Sequence, residues 1–329
     1  MDFLNEFSRG LRSVDADNFE AVTLEAFQYQ AKHNPVYRAY VRSLGVDVKM
    51  VKGLDQLPFL PIEFYKNHEI KTGSWKEEEL FYSSGTSGKG ESCNYIRDLS
   101  LYKQVSMDVF QLFYGPPDQY LVFGLLPSYL ERKGSSLVYM VDFLIKNSAG
   151  GPSGFFLDNQ EELVEILCSP HFSDKKKLLF GVGFALLDLV ENHHLKDPNI
   201  IVIETGGMKG RKKEIIREEM HEKLATAFHS GNIHSEYGMT ELCSQAYAKA
   251  PGKFFCPPWM KIMPREINDP FSYCSSNQAG ALNIIDLANI HTCCFIETKD
   301  LGVLAEDGSF NISGRMDNSD IRGCSLLAQ

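Results

Sequence analysis

The feature that most limits the folds open to this chain is an alternation between residues 120 and 237. Four apolar runs, Tyr120–Leu125, Lys177–Phe180, Ile200–Ile203 and Ile233–Tyr237, are separated by stretches of helical character such as Leu137–Lys146 and Lys212–Phe228. In the last of these, Ile216, Met220, Leu224 and Phe228 fall four apart, while Lys212, Lys213, Arg217, Glu218 and Glu222 take the other face. That is the pattern of a helix with one buried side. Strands alternating with helices imply an α/β fold built on a largely parallel sheet.

On either side the texture changes. Phe3, Leu4, Phe7 and Leu11, then Phe19, Val22, Leu24, Ala26 and Phe27, give residues 1–45 the spacing of a helical cap that Asn34-Pro35 interrupts. From about Lys253 prolines and short β-rich pieces take over, at Leu282–Ile285, Thr292–Glu297 and Leu301–Leu304, with a turn at Glu306-Asp307-Gly308. The expected organisation is a helical cap over 1–45, an α/β core over 46–250, and a small β subdomain with a tail over 251–329.

Charge and composition remove several classes of function. The chain carries 33 Lys and Arg against 43 Asp and Glu, a net charge of −10, which argues against a broad nucleic-acid grip. With 43% hydrophobic and 12% aromatic residues, disorder is excluded as the main state. The apolar stretch Leu137–Val141 is interrupted by Asp142, far short of the roughly 18 residues a membrane helix needs. The start, Met1-Asp2-Phe3-Leu4-Asn5-Glu6, lacks the basic-then-apolar layout of a secretory signal. The expected compartment is the cytoplasm, and the 8 cysteines are expected as free thiols rather than disulfides. Cys293-Cys294 has neither Cys-x-x-Cys nor His-x-x-His company, so zinc is not expected.

Three segments have the composition of a phosphate and nucleotide site. In Tyr82-Ser83-Ser84-Gly85-Thr86-Ser87-Gly88-Lys89-Gly90, small hydroxyl residues and glycines let backbone N–H groups and a lysine approach an oxyanion. It is not a Walker A loop, because Ser83 stands where that loop needs its first glycine and Gly90 where it needs Ser or Thr. Glu204-Thr205-Gly206-Gly207 follows one strand, and Glu236-Tyr237-Gly238-Met239-Thr240-Glu241 follows another. Ligands of open α/β sheets sit at the carboxyl ends of strands. Such a site offers an aromatic face for a base, a glycine for close approach and a carboxylate for Mg²⁺. Taken singly, the first segment also reads as a mobile surface loop and the other two as ordinary βα turns.

Together, and in this order, the segments resemble the adenylate-forming superfamily of acyl-CoA synthetases, adenylation domains and firefly-type luciferases. Ser83-Ser84-Gly85-Thr86-Ser87-Gly88-Lys89 is similar to its phosphate loop, Thr205-Gly206-Gly207 to its adenine-side turn, and Tyr237-Gly238-Met239-Thr240-Glu241 to its Tyr-Gly-x-Thr-Glu signature. Thr298-Lys299-Asp300 and Gly314-Arg315-Met316-Asp317 resemble its Thr-Gly-Asp and Gly-Arg-x-Asp elements, with Lys299 in place of the usual glycine. The resemblance implies a fold like the N-terminal domain of these enzymes: mixed and parallel sheets flanked by helices, plus a small β subdomain, with residues 46–250 as the nucleotide-binding core. It further implies that Tyr237 stacks on adenine, Thr240 and the phosphate loop touch phosphate, Lys89 faces departing pyrophosphate, and Glu241 carries Mg²⁺. Asp300 and Arg315 hold the ribose. ATP and Mg²⁺ are the expected cofactors.

Most members continue into a lid domain with a catalytic lysine, whereas this chain stops soon after Arg315. Its ending, its helical start and Leu57-Pro58-Phe59-Leu60-Pro61-Ile62 resemble the LuxE-type acyl-protein synthetases over nearly the whole chain. This resemblance implies that a fatty acid is activated with ATP, moved to a cysteine near the C-terminus, and handed to a reductase partner. Cys324 is the cysteine placed for this role, with Arg322 beside it to favour the thiolate. Cys243, close to Glu241, is a second candidate; Cys93, Cys168, Cys256 and Cys274 read as packing residues, as does His234. Two alternatives remain open from sequence: an external thiol acceptor such as coenzyme A or a carrier protein, and a degenerate relative that only binds nucleotide.

Overall fold

The computed structural model describes residues 3–83, 90–127, 134–156, 159–193, 195, 197, 199–206 and 216–316. The chain divides into two compact units, one formed by 1–76 with 255–329 and the other by 77–254.

The 77–254 unit is built on a seven-stranded sheet. From one edge to the other its strands run Phe254–Phe255, Ala246–Ala248, Ile233–Tyr237, Ile200–Thr205, Lys176–Val182, Tyr120–Leu125 and Gly154–Phe155. The five strands from Ile233–Tyr237 to Gly154–Phe155 are parallel, and Ala246–Ala248 joins antiparallel. Tyr120–Leu125 and Ile233–Tyr237 are buried at every position, as strands covered on both faces must be. Both coincide with the apolar runs expected from sequence, and Lys176–Val182 and Ile200–Thr205 extend theirs by one to three residues. The connecting helices carry ordinary start and stop signals. Asp98 caps Leu99–Tyr114 by accepting from Leu101 N at 3.0 Å, and Gly115, at φ +77°, ends it. Arg217–Phe228 buries Met220, Leu224 and Phe228. Ile216 does not join them: it precedes the helix and is exposed, so the four-residue spacing overstates the apolar face by one residue.

Outside the large sheet, Glu79–Tyr82 and Cys93–Ile96 form an antiparallel pair with Tyr82 opposite Cys93. The pairing continues past the strands, because Ser83 N donates to Ser92 O at 3.0 Å and Ser92 N to Ser83 Oγ at 2.9 Å. Ser83 and Ser92, which flank the glycine-rich segment, are therefore pinned together.

In the other unit, Phe295–Val303 is the hub of a five-stranded sheet. It pairs with Leu60–Pro61 (parallel), with Ala279–Asp286 and with Gly314–Arg315, and Met260–Arg265 lies beyond Ala279–Asp286. The sequence suggests two short pieces here, Thr292–Glu297 and Leu301–Leu304; the structure has one nine-residue strand running through Glu297, Lys299 and Asp300. The charges are absorbed by pairing: Arg265 Nη2 lies 2.9 Å from Glu297 Oε1, and Lys299 pairs with Glu63. The helices Phe3–Gly10, Phe19–His33 and Pro35–Ser43 belong to this unit. Pro35 opens a new helix rather than closing the helical region, with Asn34 Oδ1 accepting from Tyr37 N at 3.0 Å. Among the described residues no helix is long and apolar enough to cross a membrane.

Candidate active site

The carboxyl ends of Ile200–Thr205 and Ile233–Tyr237 lie side by side, with Thr205 and Glu236 as register partners on adjacent parallel strands. Thr205 Oγ1 donates a short hydrogen bond to Glu236 Oε2, and both residues are buried. Immediately beyond Thr205 the chain turns at Gly206, whose φ of +70° suits glycine. Beyond Glu236 come Tyr237, nine-tenths buried and set edge-on to Phe254 at 6.1 Å, and then Gly238. Gly238 has a steric reason to be glycine: a Cβ there would stand 2.5 Å from Glu236 Oε1.

The third motif is tied to the same place. Asn94, on the hairpin strand Cys93–Ile96, donates from Nδ2 to the carbonyl of Thr240 at 2.9 Å. Cys243 packs against the cluster of Phe81, Ile96 and Tyr102, the first two of which belong to the same hairpin. Glu241 is buried between these contacts in sequence. Within this unit the structure thus brings together the base of the glycine-rich hairpin at Ser83, the Thr205-Gly206 turn, and the segment Tyr237-Gly238-Met239-Thr240-Glu241. Ser84, Gly85, Thr86, Ser87, Gly88, Lys89 and Gly207 lie outside the described residues, as does Cys324.

Asp300 and Arg315 are in the other unit, where the pairing of Phe295–Val303 with Gly314–Arg315 sets them opposite one another. Arg315 Nε is 3.7 Å from Asp300 Oδ1, with the arginine largely exposed and the aspartate mostly buried. Asp300 N donates to Thr298 Oγ1 at 3.2 Å, and Thr298 in turn donates to Leu282 O at 2.6 Å, so the Thr-x-Asp spacing folds into a small fixed turn of side chain on backbone.

The buried acids behind the two turns are what the sequence reading missed. Glu204 faces Arg217 Nε at 3.5 Å and His221 Nε2 at 3.9 Å, and His221 also meets Ser235 Oγ at 3.2 Å. Among the described residues no cation pairs with Glu236 in this way. Burial pushes its carboxyl up to about 7, against the lowering effect of the Thr205 hydroxyl and with the help of nearby Glu204. Position inside a strand hid both residues; the one available signal was a carboxylate at the next-to-last position of two successive strands. His234 behaves as expected of a packed histidine. It is buried, bonded to Tyr114 Oη at 3.1 Å, and pushed down to about 4 by burial and by Lys249 and His221.

Among the described residues no group of three or more His, Cys, Asp or Glu could hold a metal ion. A single carboxylate at Glu241 nevertheless suits Mg²⁺, which usually takes one or two protein carboxylates and completes its shell with substrate phosphates and water. The described cysteines are free thiols. Burial pushes the Cys293 thiol up to about 12 and raises Cys256 further, so neither is a ready nucleophile.

No protein-family model matches the chain. By sequence it is 22% identical to the long-chain-fatty-acid–luciferin-component ligase of Vibrio harveyi, over 92% of this chain and 84% of that protein. By structure it is similar to 2-hydroxyisobutyryl-CoA ligase in its postadenylation state, with a TM-score of 0.70, 12% identity, and coverage of 93% of this chain and 70% of that one. It is also similar to ATP-bound MatB from Rhodopseudomonas palustris, with a TM-score of 0.54, 16% identity, and coverage of 72% of this chain. The aligned part spans about half of MatB, 47% of its length. The structural likenesses show the fold. The chain thus has the fold of the adenylate-forming ligases and is similar in sequence, over nearly its whole length, to a long-chain-fatty-acid ligase.

Proposed function

We propose that this protein activates a fatty carboxylic acid with ATP and carries the acyl group on its own Cys324 to an acceptor protein, such as a fatty acyl reductase, in the cytoplasm. The observation that supports the reading best is the convergence within one unit. Asn94 ties the glycine-rich hairpin to Thr240, and Thr205 ties the Gly206 turn to the strand that delivers Tyr237. A phosphate-binding segment, a close-approach turn, an aromatic ring and a buried carboxylate are the parts that adenylation of an acid requires.

In the first step the carboxylate oxygen attacks the α-phosphorus of ATP. The bond to the bridging oxygen breaks and pyrophosphate leaves, forming a mixed anhydride. Such chemistry asks of the protein mainly positioning and charge compensation. Lys89 and the amides of residues 83–90 supply the latter, Tyr237 holds the base, Glu241 holds Mg²⁺ when bound, and Asp300 and Arg315 keep the ribose role given by sequence likeness. In the second step the Cys324 thiolate attacks the acyl carbonyl; the thioester forms and AMP leaves. A thiolate is the suitable acceptor because it is strongly nucleophilic near neutral pH.

The test is fatty-acid-dependent exchange of labelled pyrophosphate into ATP. Wild type is expected to exchange, and Glu241→Ala to lose on the order of 100-fold in rate, the scale of a lost charge-stabilising group. Exchange by Glu241→Ala at the wild-type rate would remove Glu241 from the site, and no exchange by wild type with any fatty acid would remove the activity.

A further inference from the structure

Glu236 contributes nothing to the chemistry above, yet its place is unusual. It is the penultimate residue of a fully buried parallel strand, a position an apolar side chain fills without the cost of desolvating a carboxyl. Each of its oxygens meets a different turn. Oε2 accepts from Thr205, the residue before the Gly206 turn, and Oε1 occupies the space that a Cβ on residue 238 would need. Glu204, on the neighbouring strand, is different, because Arg217 and His221 face it from the helix Arg217–Phe228 and account for its charge. What accounts for Glu236 is the pair of turns.

We infer that Glu236 is a positioning residue for the nucleotide, its carboxyl fixing the Gly206 turn against the Tyr237-Gly238 turn so that both meet the same ligand. Hydrogen bonds are directional, which makes a carboxyl better than a hydrocarbon at setting the separation of two loops. The Thr205–Glu236 bond is the adjustable link, since both partners are side chains while the strands are locked by the sheet. The inference rests on the nucleotide-binding part of the reading above and not on the identity of the acid or its acceptor.

The test is calorimetric titration of the full chain with Mg-ATP alone, which needs no acid substrate. Glu236→Ala and Thr205→Val each remove the link and are expected to weaken ATP binding about tenfold, the scale on which small misplacements are felt at such sites. Glu236→Gln keeps an oxygen for the Thr205 hydroxyl and is expected to bind within about twofold of wild type, a rescue that a purely space-filling role does not require of Thr205→Val. If Glu236→Ala does not fold, Thr205→Val and Glu236→Gln carry the comparison. Wild-type affinity in folded Thr205→Val, a Glu236→Gln protein weakened tenfold, or a wild type that does not bind ATP each overturns the inference. Wild type that binds ATP but exchanges no pyrophosphate with any fatty acid sinks the proposed activity and leaves the role of Glu236 to be decided by the variants.

Discussion

Replacing Lys177 by methionine lowers the free energy of unfolding by about 3–5 kcal/mol, the usual cost of breaking a buried ion pair from one side. Lys177 sits in the middle of the large sheet on Lys176–Val182, only 1% exposed, with its ammonium 2.8 Å from Asp197 Oδ2. Asp197 is itself buried, and its other oxygen accepts from Asn199 N at 3.1 Å. Methionine preserves most of the stem volume, so packing is nearly unchanged and the loss comes from the stranded carboxylate. The double variant Lys177→Met, Asp197→Asn recovers most of the loss because no buried charge is left over. Urea unfolding of the three proteins decides the matter, and a Lys177→Met protein as stable as wild type would show that Asp197 is compensated by something else.

The second large effect is a dependence on pH that belongs to Glu236. Its carboxyl is held at about 7 against an ordinary value of 4.5, so between these limits the folded chain keeps a proton that the unfolded chain has released. Stability from this group is complete below the ordinary carboxylate range and is lost as pH rises through about 7. The groups around it do not cancel the effect. Thr205 donates to it, Glu204 repels its charged form, and Tyr102, Tyr114 and Tyr247 lie close enough to feel its charge, with hydroxyls that burial keeps neutral. Arg217 and His221 lie behind Glu204. Glu236→Gln cannot titrate, so the stability difference between wild type and variant moves by roughly 3 kcal/mol from pH 4.5 to pH 8, with wild type losing ground. Denaturant unfolding at the two pH values reads this directly; an unchanged difference would mean that Glu236 is ionised throughout.

The fold was readable where burial is two-sided. Tyr120–Leu125 announces itself as an apolar run because a parallel strand under helices has no wet face, whereas Ile233–Tyr237 is equally buried yet carries His234, Ser235 and Glu236. Burial that depends on a distant partner was not readable. Lys177 is as buried as any leucine because Asp197, twenty residues away, meets it, and nothing local in a lysine says so. Gln30 reaches the carbonyls of Asn289, Ile290 and Thr292, and its Oε1 accepts from Cys294 N, so the N-terminal helices are bound to a turn some 260 residues later. Phe295–Val303 was divided by its charges, which Arg265, Glu63 and Arg315 help make tolerable in a continuous strand.

At the candidate site, the motif segments stood out because small, aromatic and acidic residues recur at short spacing directly after strand signals. The supporting layer did not, since Glu204 and Glu236 are next to last in their strands and look like the start of the next turn. Asn94 carries no signal at all until its contact with Thr240 is seen.

The most direct measurement is the intact mass of the protein after incubation with Mg-ATP and a mixture of fatty acids, followed by peptide mapping. The account predicts a mass increase equal to one fatty acid less water, on the peptide that contains Cys324, absent from Cys324→Ser and absent without ATP. Pyrophosphate released while the protein stays unmodified would contradict self-acylation and assign the acyl group to an external thiol.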